Sequence, residues 1–153
     1  MYSIKNILLT AINEGGLIMP FVNLKLVKGQ VSLEQKNKII EGMTDLIVNV
    51  MGRDKNLTVI TVDELDCVNW AIGGKTFNEL SSEKRTVSFV NIKVSKGTTN
   101  PEEMARMMKE SKDLMVKVLG NSDETNYFII DELNPDAWGF DGISMTERGR
   151  REQ

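Results

Sequence analysis

The chain has 153 residues, 41% of them hydrophobic, and a formal net charge of -3: the size of one ordinary domain with a core of its own. It contains no histidine and a single cysteine, Cys67, which excludes a disulfide framework, an ordinary His/Cys metal site, a Ser-His-Asp triad and a Cys-His pair. The mild negative charge without a basic run argues against a nucleic-acid partner, and no run of about 18 apolar residues exists to span a membrane.

The chain opens on a leader, residues 1–19, MYSIKNILLTAINEGGLIM. Lys5 before Ile7, Leu8 and Leu9 gives it a faint likeness to a secretion signal. The apolar run is short and no small-x-small cleavage site follows, so a cytoplasmic location is expected. An alternating strand is expected over 22–27, followed by a turn at Gly29. Ser32 with Gln35 three residues later reads as a capping box. It opens a helix whose apolar stripe is Ile39, Ile40, Met43, Leu46, Ile47, Val50 and Met51, and which Gly52 ends. A β-branched strand is expected over 58–62, and residues 76–87, TFNELSSEKRTV, read as a polar linker.

The same series then returns. Residues 21–29, FVNLKLVKG, reappear as 89–97, FVNIKVSKG, an offset of 68. The offset carries DEL at 63–65 onto DEL at 131–133, Trp70 onto Trp138, and Gly74 onto Gly142. In the second copy a strand is expected over 90–95. Asn100 caps the next helix, Pro101 takes its first position and Glu103 completes a second box. The stripe there is Met107, Met108, Leu114, Met115, Val118 and Leu119, with Gly120 as the stop and a strand over 127–130. The methionines read as core filler. Residues 146–153 read as a polar tail, frayed or lightly docked.

Two tandem β-α-β units therefore span 20–75 and 88–145. Right-handed crossovers make each strand pair parallel. Neither unit covers its own apolar face, so the expected α+β fold is one four-stranded mixed sheet with both helices on one face. The other face is expected to be solvated or covered by further subunits, with Leu24, Leu26, Ile92 and Val94 as candidates to line it.

Met19-Pro20 ahead of a strand, Lys28-Gly29, SLEQKNKIIEGMTDLI at 32–47, Glu64 and Trp70-Ala71-Ile72-Gly73-Gly74 together resemble the 4-oxalocrotonate tautomerase family of the tautomerase superfamily. The resemblance covers 19–75 well and 88–145 through the repeat. It implies a tautomerase or isomerase that needs no cofactor and no metal. Its substrate would be an enolisable carbonyl compound of the 2-hydroxydienoate or arylpyruvate kind. It implies a homo-oligomer, a trimer for fused two-unit members. Pro20 falls at the family's catalytic proline, whose free secondary amine is the general base. Trp70 falls at the aromatic that walls the pocket, with Trp138 as its counterpart; because the partner unit usually gives this wall, Trp138 is the expected neighbour of Pro20. The chain departs from the family at two arginines. Gln30 stands after the first-strand glycine, and Val59, or Tyr127 in the second copy, stands early in the second strand. Gln30, Tyr127 and Lys28 are thus the candidates to meet the substrate's charge, although a lysine is not a bidentate fork. Ser88 replaces proline in the second copy and has no amine to offer.

A proline nitrogen inside a peptide bond has no basic lone pair. In this chain 19 residues precede Pro20. Either the leader is retained and the protein is a non-catalytic relative with a scaffold or binding role, or translation starts at Met19 and Met removal frees Pro20. Glu14-Gly15-Gly16 can be encoded by a purine-rich run like a bacterial ribosome-binding sequence, at a workable distance upstream of Met19. A hydratase- or dehalogenase-like lyase remains a third reading. Pro20 also reads as a plain strand-start proline and the tryptophans as packing residues. Asp63-Glu64 and Asp131-Glu132 read as structural ion pairs or exposed turns, and Cys67 as inert.

Overall fold

The computed structural model describes residues 19–80 and 85–151. The leader reading falls on residues 1–18, outside the described residues, as do part of the linker, 81–84, and the last two residues. Strand β1 (Phe21–Val27) leads to helix α1 (Leu33–Met51) and strand β2 (Val59–Leu65). A hairpin follows, β3 (Ala71–Ile72) with β4 (Lys75–Thr76). The second unit repeats the order with β5 (Ser88–Ser95), α2 (Pro101–Leu119), β6 (Tyr127–Leu133) and the hairpin β7 (Gly139–Phe140) with β8 (Ile143–Ser144). A last helix, α3, spans Met145–Arg151.

The four long strands form one mixed sheet in the order β2-β1-β5-β6. β1 pairs parallel with β2 and β5 parallel with β6, as the crossover rule requires. β1 and β5 meet antiparallel, with Asn23 opposite Asn91. These two asparagines are repeat equivalents, so the local two-fold axis of the molecule passes between them.

Both helices pack on one face. Val22, Leu24, Leu26, Val90, Ile92 and Val94 point into that core with Ile39, Met43, Ile47, Met107 and Met115. Leu24, Leu26, Ile92 and Val94 are therefore not the lining of the open face; they are at most 1% exposed beneath the helices. Alternation along β1 and β5 assigns the open face to Phe21, Asn23 and Lys25 and to Phe89, Asn91 and Lys93 instead. Its middle is polar. Asn23 Nδ2 donates to Thr61 Oγ1 at 2.8 Å, and Lys25 Nζ bonds Asp63 Oδ2 at 3.0 Å. In the second copy Asn91 Nδ2 and Lys93 Nζ both reach Asp131 Oδ2, at 2.9 and 3.0 Å. Asp63, Glu64 and Asp131 are thus ion-paired residues inside β2 and β6, which run three residues further than the β-branched runs alone suggest. Around this polar middle lie apolar groups left exposed on the two edge strands, Val59, Tyr127 and Ile129.

The helix ends follow their caps in one copy and depart in the other. Ser32 and Gln35 make both bonds of the capping box. Asn100 accepts from Glu103 N at 2.9 Å, but the Glu103 carboxylate takes the Thr99 hydroxyl at 3.0 Å, so the second box is half made. Met108 leaves the expected stripe and is 43% exposed, while buried Ser111 joins the core face. The 145–151 segment is a docked helix rather than a frayed tail: Met145 is buried and Arg148 lies 3.6 Å from the centroid of the Phe140 ring. Among the described residues no helix is long and apolar enough to cross a membrane.

Two outcomes are expected from this packing. Leu24→Ala removes a fully buried side chain and should lower unfolding free energy by about 2–5 kcal/mol in a urea titration. The Lys25 and Asn23 bonds hold Asp63, and the Asn91 and Lys93 bonds hold Asp131, below the usual carboxylate range. A depressed carboxylate stabilises the fold above its unfolded pKa of about 3.9, and that contribution fades as pH falls through the folded value. Asp131→Asn should therefore lose less stability than the parent between neutral pH and pH about 3, measured by unfolding at each pH.

Candidate active site

Proline suits the first position of a strand because its missing N–H leaves no unpaired ladder donor. Pro20 sits there, buried, directly before β1. The antiparallel register pairs Phe21 with Lys93, and continuing it places Met19 opposite Ser95. Met19 is buried against Met145, with Trp138 and Phe140 packed on the same cluster. The start of β1 thus meets the second unit's hairpin, not its own.

That hairpin is held closely. Its turn, Asp141-Gly142, puts both residues at positive φ, 54° and 74°, as a two-residue primed turn demands. A Cβ on Gly139 would run into the Ile143 carbonyl and Ser144 backbone, so only glycine fits where the strands cross. Trp138, between them and β6, donates Nε1–H to Ser95 Oγ at 3.0 Å, and its carbonyl accepts Met145 N–H at 2.9 Å. The indole is thus tied to β5 and the Trp138 backbone to the start of α3.

Two arginines flank this end of the sheet, and the sequence reading gave neither a role. Arg53, just past the α1 stop at Gly52, is only 3% exposed. Its Nη2 donates to the Thr98 carbonyl at 2.8 Å and to Thr98 Oγ1 at 3.2 Å, while Nε and Nη1 are buried without a hydrogen-bond partner. Burial pushes this guanidinium down to about 10, with the Glu103 carboxylate working the other way, so it stays cationic at neutral pH. Arg148 stacks on Phe140, donates to the Phe140 carbonyl at 3.0 Å, and buries an unpartnered Nε. No spacing rule in the sequence marks either arginine; only the crossing of the two units brings them here.

The remaining candidates lie at the opposite end of β1. Lys28 is exposed and bonds Leu65 through its backbone N–H at 2.8 Å. From Pro20 it is eight residues along a strand, about 26 Å at roughly 3.3 Å per residue. Gln30 Nε2 donates to the Arg85 carbonyl at 2.8 Å, on the approach to β5. Trp70, half-buried, follows the end of β2 on the Lys28 side. Tyr127, 70% exposed, pairs with Phe89 at the start of β5. Within one protomer Trp138 shares a cluster with the Pro20 end, while Lys28, Gln30, Trp70 and Tyr127 gather at the Ser88 end.

The Ser88 end holds its own cavity, of about 290 Å³, lined by Ser88, Ser111, Lys112, Asn126, Tyr127 and Phe128 among others. Asn126 Oδ1 accepts the Ser88 N–H at 3.0 Å, so this nitrogen is an amide engaged in the fold. Ser111 stands where the first copy has Met43, and the missing volume opens space there. Cys67 is half-buried, within 3.8 Å of Asn78 Oδ1.

Comparison with known proteins agrees with this doubled architecture. The family described as Tautomerase enzyme matches twice, over residues 20–79 and 89–148. "Probable tautomerase K2" of Dickeya dadantii (strain 3937) is 43% identical over 61 residues, 40% of this chain and 91% of the relative. "2-hydroxymuconate tautomerase" of Bacillus subtilis (strain 168) is 26% identical over 62 residues, 40% of this chain and 98% of the relative. Among solved structures, "F6 fused 4-OT wild type asymmetric trimer" superposes with a TM-score of 0.73 at 18% identity, covering 85% of this chain and 99% of that one.

Gly139→Ala should loosen the hairpin that fixes the indole. Overpacking of this kind costs about 1–3 kcal/mol. In a Trp70→Phe background, Trp138 emission should shift to longer wavelength when Gly139→Ala is added, read by steady-state fluorescence.

Proposed function

Because the chain belongs to the tautomerase family, as a tandem fusion of two of its β-α-β units, we propose that it is a tautomerase whose general base is the amine of Pro20 in a chain that begins there. The observation that carries this reading is a family match that starts at residue 20, on a buried proline that directly follows Met19 of the Trp138, Phe140 and Met145 cluster.

The chemistry follows from the nitrogen. As the first residue, Pro20 is a secondary amine. Its neutral form takes the proton from the hydroxyl of an enol, and the resulting ammonium returns it to the carbon end, giving the keto form with no net change in the amine. Once Met19 is removed, the Trp138, Phe140 and Met145 side chains it packs on would wall the amine and disfavour the ammonium, and the guanidinium groups at this end of the sheet would disfavour it further. Both effects draw the amine's pKa toward neutrality, where a base of this kind works best. The pairing of β1 with two neighbours fixes the ring's direction, which supplies the orientation that proton transfer needs. The substrates this arrangement fits are 2-hydroxydienoates and arylpyruvate enols, handled in the cytoplasm. Ser88 has no free amine, so each chain carries one proline site.

Assembly belongs to the same proposal. The open sheet face, with its apolar groups around paired charges, suits contact with further copies, and a trimer of two-unit chains would bury it. Sedimentation at low micromolar concentration should give the mass of three chains; a stable monomer would overturn this part.

The activity test compares three proteins: the chain beginning at Pro20, the 153-residue chain, and Pro20→Ala in the short form. The short form should lead in enol-to-keto conversion at neutral pH, with the others about 10²–10⁴-fold behind, the usual worth of a positioned general base. Intact mass confirms Met removal. Equal rates in long and short forms reject the proline base. No activity in any form, across several enols, favours a non-catalytic binding role.

A further inference from the structure

We propose that the cavity at the Ser88 end is a second ligand site, one that takes a small uncharged aromatic molecule carrying a single hydroxyl, of the phenol class. This goes beyond the Pro20 reading and does not depend on it.

The cavity lies between α2 and the starts of β5 and β6. Its volume of about 290 Å³ is near the lower limit of about 300 Å³ for small-molecule sites, so it fits one ring and little more. It is not a second proline site. The Ser88 nitrogen is an amide whose N–H is held by Asn126 at 3.0 Å, and no arginine lines the space. Alternation along β5 sets Ser88 on the same face as Val90, beneath α2.

Two hydroxyls in its lining lack good partners. Ser88 is 3% exposed, and its Oγ makes no hydrogen bond among the described residues. Ser111 is 2% exposed, and its Oγ reaches only Met43 Sδ, at 3.6 Å, a weak acceptor. Buried hydroxyls are normally better satisfied than this. Both residues border open space, so a ligand oxygen placed there completes them.

The rest of the lining selects the body and the charge. Val90, Met115 and Phe128 give apolar surface, and Met108, 43% exposed, stands beside them. Thioether sulfur and a phenyl ring both favour an aromatic partner. Asp123 is already engaged, by the Thr125 N–H at 2.9 Å and by Arg85 at 3.5 Å. Lys112 and Glu124 are exposed and of opposite sign, so the interior makes no demand for a charged ligand.

The test uses the 153-residue chain with isotopically labelled methionine methyl groups, titrated with p-cresol, toluene and p-toluate and followed by NMR. The Met108 and Met115 resonances, assigned by single Met→Leu variants, should move with p-cresol, while Met19 and Met145 at the Pro20 end stay still. p-Cresol should bind about 2–10-fold tighter than toluene, the worth of one neutral hydrogen bond, and tighter than p-toluate. Ser88→Ala with Ser111→Ala should erase the margin over toluene and leave toluene binding intact. Movement confined to Met19 and Met145 overturns the proposal, as does no movement at Met108 and Met115. Equal affinity for p-cresol and toluene in the parent overturns it without any variant, and so does a retained margin in the folded double variant. Preference for p-toluate overturns the uncharged class and assigns the space to an acid held by Lys112.

Discussion

The antiparallel seam between β1 and β5 is the constraint on which the rest of the molecule depends. Each β-α-β unit has a parallel strand pair and one helix, too little to enclose a core. Pairing the two inner strands about Asn23 and Asn91 makes one sheet and lays both helices across it. The same pairing runs the strands in opposite directions, so the start of β1 lies at the end of β5. Whatever surrounds Pro20 must come largely from the other unit: Ser95, Thr98, Trp138 and Met145 all do.

The repeat made most of this fold legible. A fixed offset, two caps and two apolar stripes state the elements and their crossover. The expectation of Trp138 rather than Trp70 beside Pro20 came from the family resemblance, and in the structure Trp138 packs on the cluster that holds Met19. The face of the sheet was not legible. A short alternating strand such as FVNLKLV has a buried and an open set of residues, and nothing local says which set meets the helices. The hairpins at Gly73-Gly74 and Asp141-Gly142 were not read from the sequence, although both residues of each dipeptide take the positive φ of a primed turn. Arg53 carried no such mark. Its surroundings depend on where Thr98 arrives, which is fixed only after two units from distant parts of the chain have crossed.

The two ends of the seam have become different places. One has a proline, a tethered indole and two arginines. The other has Ser88 with its N–H held by Asn126 and a cavity where Ser111 replaces methionine. A covalent fusion permits this, because a substitution in one unit need not appear in its counterpart, whereas a dimer of identical units carries every change twice.

The contact between Met43 and Ser111 has a consequence of its own. The two positions are repeat equivalents, and they face each other across the local axis, Ser111 Oγ lying 3.6 Å from Met43 Sδ. Two first units joined in the same way would set methionine against methionine and overfill the space. Two second units would set serine against serine and leave it hollow. The mixed pair instead sets one long side chain beside a short one that also lines the cavity at the Ser88 end, so two like halves would pack worse at this point than two unlike ones.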